Sequence, residues 1–257
     1  MKIGVFDSGI GGLSVLHGAL RRWPGAEYVF YADRAHVPYG EKPPETVRGY
    51  VEEIIRRLIA EGCGAIVIAC NTATSVAAAA MREKFPLPIL GMEPAVKLAL
   101  DRFSRGRVLA AATPITVRGE KMERLLEKWD GEGRTDLLAL PELVAFAERG
   151  EFRSEAVTAY LREKLAAYPL AEYCAFVLGC THFNYFKDTL RALLPDKVRL
   201  LDGVDGVLRH LAESVPMPES AGEGKVLFLD SGREAGEKEL EFLQACLRRL
   251  DDMAEIE

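Results

Sequence analysis

The sequence predicts an α/β protein made of two similar doubly wound domains, each with a parallel sheet, and a ligand cleft between them. Three observations carry that expectation. Short apolar runs alternate with amphipathic stretches along all 257 residues, the β-α rhythm of wound parallel sheets. The apolar runs are continuous rather than alternating, which suits strands covered on both faces. The pattern Ile66-Val67-Ile68-Ala69-Cys70-Asn71-Thr72 returns as Phe176-Val177-Leu178-Gly179-Cys180-Thr181-His182.

The elements follow in order. Lys2–Phe6 is an apolar opening strand, and Leu13–Trp23 a helix after a glycine-lined turn. Glu27–Tyr31 precedes the helix Glu45–Glu61, and Ala65–Ala69 precedes Ala73–Lys84. Pro88–Gly91 leads to Pro94–Phe103, and Arg107–Ala111 to Val117–Trp129. Asp136–Leu140 is followed by Glu155–Tyr168, and Tyr173–Leu178 by Phe186–Leu194. Arg199–Asp202 pairs with Val204–Ser214, and Lys225–Leu229 with Glu234–Leu250. Ser104-Arg105-Gly106 and Asp130-Gly131-Glu132-Gly133 are short polar breaks, and Pro216–Gly224 is a surface connection. The cysteines at 70 and 180 stand about one small domain apart. The division expected is 1–96 with 210–257 for the first domain and 97–209 for the second.

Composition narrows the class. Hydrophobic residues are 49% and charged residues 28%, which excludes disorder and collagen-like repeats. A chain of this size buries a core without disulfides or a structural metal. Net charge is −6, against the basic face a nucleic-acid binder needs. Met1–Asp7 reads as a strand rather than a signal peptide, since an acid arrives before any apolar h-region. No window approaches the ~18 apolar residues of a membrane span. Five cysteines, an odd number, speak against a disulfide framework and for a reducing, cytoplasmic setting.

The first turn, Asp7-Ser8-Gly9-Ile10-Gly11-Gly12-Leu13-Ser14, admits two uses. As a dinucleotide fingerprint it lacks the third glycine, and Asp7 puts a negative charge where a pyrophosphate would approach. As a tight turn at a helix N-terminus, its backbone N–H groups bind a small carboxylate. Asp7 can then hydrogen-bond an ammonium group or a thiol; its plain alternative is a helix cap. Tyr39, between Pro38 and Gly40 in the loop after the second strand, can close on a small ligand. Cys70 and Cys180 each end a parallel strand, the edge where open α/β sheets bind ligands. The helix start that follows is expected to lower the thiol pKa. Zinc is a weak rival, because Cys70, Cys180 and His182 lack close-paired ligand spacing, and no metal is expected. Cys63, Cys174 and Cys246 read as packing, His17 and His210 as surface residues, and Asp230-Ser231-Gly232 as a helix cap. His36 lies in the cleft loop without an assigned role.

Two thiols across a carboxylate-binding cleft suggest a two-base reaction on a carbon acid. One thiolate removes a proton, and the opposite thiol returns one to the other face. An unperturbed thiol is only about 3% thiolate at neutral pH, so neighbours must help. Asp7 could serve Cys70 and His182 could serve Cys180. Turn N–H groups with Thr and Asn side chains could support the carbanion.

Four blocks then carry a resemblance: Phe6–Val15, Val37-Pro38-Tyr39-Gly40, Ala69-Cys70-Asn71-Thr72-Ala73 and Leu178-Gly179-Cys180-Thr181-His182. In order and spacing they resemble the glutamate racemase family of the aspartate/glutamate racemase superfamily. The resemblance implies a cofactor-independent racemase with its active site between two α/β domains, supplying D-glutamate for peptidoglycan. It implies Cys70 and Cys180 as the acid/bases, with Asp7 and His182 assisting. Asp7, Ser8, Tyr39, Gly40, Asn71, Thr72, Thr116, Thr181 and His182 become the substrate contacts. The expected partners are glutamate and a second copy in a homodimer, with no nucleic acid and no membrane. Three places depart from the family pattern: Phe183–Asp188, the shorter Gly91-Met92-Glu93-Pro94, and Leu140 in place of a usual cysteine. The rivals are an aspartate or other small-acid racemase, an NAD-dependent oxidoreductase, and a non-catalytic amino-acid-binding protein. The last would be expected to lose a cysteine.

Overall fold

A computed structural model describes residues 1–218 and 224–256. Positions 219–223 of the expected connection Pro216–Gly224 lie outside the described residues. Among those described, the strands are β1 (Lys2–Asp7), β2 (Glu27–Ala32), β3 (Cys63–Ile68), β4 (Ile89–Gly91), β5 (Arg107–Ala112), β6 (Thr135–Ala139), β7 (Tyr173–Leu178), β8 (Arg199–Leu201), β9 (Val226–Asp230) and β10 (Arg233–Glu234). The helices are α1 (Leu13–Arg22), α2 (Pro44–Ala60), α3 (Asn71–Lys84), α4 (Val96–Arg102), α5 (Pro114–Val117), α6 (Glu120–Trp129), α7 (Pro141–Glu148), α8 (Glu155–Leu165), α9 (Lys187–Leu193), α10 (Val204–Ser214) and α11 (Glu237–Met253).

The strands form two sheets, in the orders β10-β9-β2-β1-β3-β4 and β6-β5-β7-β8. Every pairing is parallel except β9 with β10. The two sheets share one winding. In each, the first strand lies between the second and the third, with the fourth outside the third. That arrangement makes a topological switch point between β1 and β3, and again between β5 and β7. Asp7 and Cys70 stand at the carboxyl ends of the first pair, and Thr113 and Cys180 at those of the second.

Continuous apolar strands follow from burial on both faces. Val5, Val67 and Val177 are fully buried. Alternate residues of β1 and β3 feed different cores: Val5 and Val67 face one, Phe6, Ile66 and Ile68 another. The first of these continues across both halves, taking in Ile10 and Leu13 from one side and Leu143, Phe176 and Phe183 from the other. One apolar core therefore runs from one half into the other.

Several expectations are corrected. The helix expected over Val117–Trp129 starts only at Glu120, with Gly119 at its N-cap, and Val117 instead ends the separate short helix α5. Helix α7 was missed: it is eight residues long, with Pro141 at its first position. A 3-10 segment, Thr181–Phe186, stands between Cys180 and α9, where a regular helix start was expected. Asp230-Ser231-Gly232 does not cap a helix. Ser231 (φ 49°) and Gly232 (φ 92°) form the tight turn joining β9 to antiparallel β10. The division at 209/210 falls inside α10, which is unbroken and packs on α1 and β4.

Two of the three departures from the family pattern are packed in, whereas Glu93 of the third is exposed. Tyr185 Oη donates to the Ile10 carbonyl at 2.8 Å, tying the 3-10 segment to the first half. Asp188 accepts from the buried Arg249 at 2.6 Å. Leu140 is fully buried at the start of α7.

Candidate active site

β1 delivers Asp7 to the cleft fully buried. Its Oδ1 accepts from Gly9 N at 3.0 Å and Ser8 Oγ at 3.4 Å, and its Oδ2 accepts from Thr181 Oγ1 of the opposite half at 2.9 Å. Burial is the main influence and raises the Asp7 pKa against the pull of His182 and these donors. Asp7 does not bond Cys70 directly. The Cys70 thiol donates to Ser8 Oγ at 3.7 Å, and Ser8 in turn donates to Asp7, so the two communicate through a hydroxyl.

Cys70 caps α3, its Sγ accepting from Ala73 N at 3.4 Å. That contact alone would lower the thiol pKa, as the sequence suggests. In the folded cleft the reverse holds. Burial first, and the Asp7 charge second, outweigh the N–H group and push the Cys70 thiol well up. Cys70 is a protonated thiol here, suited to giving a proton.

Cys180 is built differently. His182 Nδ1 lies 3.8 Å from its Sγ, while His182 Nε2 lies 2.8 Å from Glu148 Oε1. Burial opposes charge on His182, yet the contacts with Cys180 and Glu148 win and raise its pKa well above the ordinary value. With Nε2–H committed to Glu148, Nδ1 is left to exchange a proton with the thiol. Glu148 ends α7 and is the functional residue that sequence patterning missed. Its role depends on α7 approaching the first half, and no local motif marks it.

The glycine turn is also reinterpreted. It does bind a carboxylate, but the protein's own: Ile10 N donates to Glu148 Oε1 at 2.7 Å. A Cβ on Gly9 would stand 1.9 Å from that oxygen, so the glycine is there for close approach of the halves.

The two cysteines line one small cavity together with Ser8, Tyr39, Gly40, Asn71, Thr72, Thr113, Thr181 and His182. Thr113 faces it, whereas Thr116 stands behind, 3.0 Å from the Thr113 hydroxyl and 3.4 Å from that of Thr72. Tyr39 donates to Asp33 Oδ2 at 2.5 Å, and His36 binds the same carboxylate while stacking on Tyr50. His36 is thus a support for the Tyr39 loop and does not line the cavity. The cavity measures about 10 Å³, room for roughly one water. An amino acid does not fit the cavity as it stands. A larger cavity of about 910 Å³ lies elsewhere, lined by His17, His210, Pro94 and several arginines, and it reaches neither Cys70 nor Cys180.

All five cysteines are free. Cys63 and Cys246 are buried with thiols pushed up to about 12, and neither touches the cavity. Among the described residues no group of three or more His, Cys, Asp or Glu is arranged to hold a metal ion. No described helix is long and apolar enough to cross a membrane.

The family described as Asp/Glu/Hydantoin racemase matches residues 14–211. Glutamate racemase from Lachnospira eligens is 46% identical over 265 aligned positions, covering all of both chains. Glutamate racemase from Campylobacter curvus is 47% identical with the same coverage. The crystal structure of Escherichia coli glutamate racemase in complex with L-glutamate and the activator UDP-MurNAc-Ala is similar with a TM-score of 0.82. It is 30% identical, covering 97% of this chain and 94% of that one.

Proposed function

The chain belongs to the Asp/Glu/hydantoin racemase family, and on that premise we propose that it interconverts L- and D-glutamate by a two-base mechanism without a cofactor. The observation that carries the mechanism is the pair of thiols, set at equivalent strand ends of two sheets with the same winding, lining one cavity.

The chemistry runs as follows in the L-to-D direction. The cleft opens, takes up glutamate and closes. The Cys180 proton rests on His182 Nδ1, and Glu148 stabilises that imidazolium. The Cys180 thiolate removes the α-proton from one face of the substrate. Cys70, held protonated by burial, gives its proton to the other face, and the carbon inverts. Ser8, Asn71, Thr72, Thr113 and Thr181 offer hydroxyl and amide groups to the substrate's polar ends and to developing charge. In the D-to-L direction Cys70 starts as the thiolate, its proton passing through Ser8 to Asp7. The two halves thus use different helpers, an imidazole for Cys180 and a buried carboxylate for Cys70.

The resemblance further supports a homodimer, a cytoplasmic setting and a role in supplying D-glutamate for peptidoglycan. Sedimentation of the purified protein measures the first. The decisive assay follows L- and D-glutamate, with both aspartate enantiomers as controls, in deuterated water without added cofactor. Racemisation of glutamate with deuterium gained at the α-carbon is the expected result. Preference for aspartate, or activity lost to a chelator and restored by a metal, overturns the reading.

A further inference from the structure

Arg34 takes part in none of these steps. It follows β2 in the loop that leads to Tyr39, and neither it nor Glu148 lines the cavity. Its Nε donates to Glu148 Oε2 at 3.2 Å, and its Nη1 lies 3.6 Å from Asp230 Oδ2. Its guanidinium sits 5.0 Å over the Phe242 ring of α11. The turn that presents Asp230 is itself braced. Ser231 Oγ accepts from Ala35 N at 2.9 Å and donates to Asp230 Oδ1 at 2.9 Å. The second Asp-Ser-Gly tripeptide therefore secures the loop that carries Arg34.

Resting on the racemase reading above, we propose that Arg34 is a positioning residue for the Cys180 side of the reaction: clamped between the Asp230 turn and Phe242, it holds the Glu148 carboxylate against His182 when the halves close.

The carboxylate has two oxygens and three donors. Oε1 takes the Ile10 N–H and His182 Nε2, and Oε2 takes Arg34. Arg34 and Ile10 belong to the first half, and Glu148 and His182 to the second, so this set assembles only in the closed cleft. A buried carboxylate needs a lasting countercharge. Burial acts most strongly on Glu148 and would raise its pKa, but His182, the Ile10 N–H and Arg34 together hold it below the ordinary carboxylate range. The groups facing it are His182 and Tyr185 from the 3-10 segment, Asp7 from β1, Arg34, and Cys246 from α11. Asp230 and Glu239 act in turn on Arg34. Of all these, only the guanidinium stays cationic at every working pH.

The test compares R34M, R34K, E148Q and the double variant R34M/E148Q in glutamate racemisation across pH. R34M should lose about tenfold in kcat, the value of a charged hydrogen bond, with KM little changed. Its acid limb should move up by about one pH unit, because Glu148 protonates more easily. R34K should restore most of that limb. In the E148Q background R34M should cost nothing further, since an amide has no charge to hold. Equal losses from R34M in both backgrounds, or a raised KM with kcat unchanged, overturns the proposal. If R34M does not fold, R34Q enters the same cycle. A readout independent of turnover is the titration of the Glu148 carboxyl carbon by NMR, identified by its absence in E148Q. It should rise by about one pH unit in R34M, and an unchanged titration refutes the role of Arg34. A wild type that does not racemise glutamate refutes the reading of function alone and leaves this titration as the test.

Discussion

Replacing Glu148 with glutamine isolates one charge in the centre of the proposed mechanism. The amide is isosteric, so His182 Nε2 keeps an acceptor, but the imidazolium loses its anion. The contact is 2.8 Å long, and the His182 and Glu148 side chains are only 2% and 12% exposed, so solvent does little to replace it. A hydrogen bond to a charged partner is worth about 1.5–3 kcal/mol and a neutral one about 0.5–1.5. The difference, about 1–2 kcal/mol, corresponds to roughly a 5- to 30-fold fall in the population of the Cys180 thiolate with His182 protonated. The enantiomers have equal free energy, so kcat/KM for racemisation must fall equally in both directions and cannot assign the effect to one thiol. A half-reaction can. With a glutamate analogue carrying a leaving group on the β-carbon, deprotonation leads to elimination and needs no second acid. On the proposed assignment of Cys180 to the L-analogue and Cys70 to the D-analogue, the L-analogue should lose that 5- to 30-fold in E148Q, while the D-analogue is nearly unaffected. Equal losses for both analogues, or a change confined to KM, would refute the pairing of Glu148 and His182 with Cys180.

Other expectations follow from the same geometry. C70S should keep elimination from the L-analogue and lose it from the D-analogue, and C180S the reverse, with racemisation almost abolished in both; reversed preferences would swap the assignments. G40A puts a Cβ 2.7 Å from the Thr113 Cβ; it should hinder closure and lower kcat/KM about tenfold or more, as misplacement of reacting groups does. R249M removes the buried partner of Asp188 and leaves the Tyr185 carbonyl without that donor; urea unfolding should show a loss of about 1.5–3 kcal/mol, the value of a hydrogen bond to a charged group. Burial opposes ionisation of Asp188, but Arg249 and Arg153 hold its pKa below the ordinary value. Its contribution to stability is therefore present above about pH 4 and lost as pH falls through the folded value, and that acid-side loss should be smaller in R249M.

Much of this protein is written locally. Strand Tyr173–Leu178 is legible because a run buried on both faces must be continuously apolar. Cys70 and Cys180 are legible because each follows such a run at a strand's carboxyl end, where the winding of the sheet leaves a crevice. The repeat between them announces two halves of one design. Other features belong to no segment. Glu148 looks like any acid at a helix end until α7 meets Ile10 and His182. Gly9 looks like a phosphate-binding glycine until the Glu148 carboxylate occupies that place. Asp230-Ser231-Gly232 has the letters of a helix cap, yet pairing of β9 with a short antiparallel strand turns it into a hairpin beneath Arg34. The acidity of Cys70 is inverted in the same way. Sequence places it at a helix start, which favours the thiolate, and the closed cleft buries it beside Asp7, which favours the thiol. Periodicity reports which face of a segment is buried, because burial repeats with the backbone. The partners met across a cleft, the charge they carry and the water they exclude are properties of distance in space. For this chain only the tertiary structure decides them.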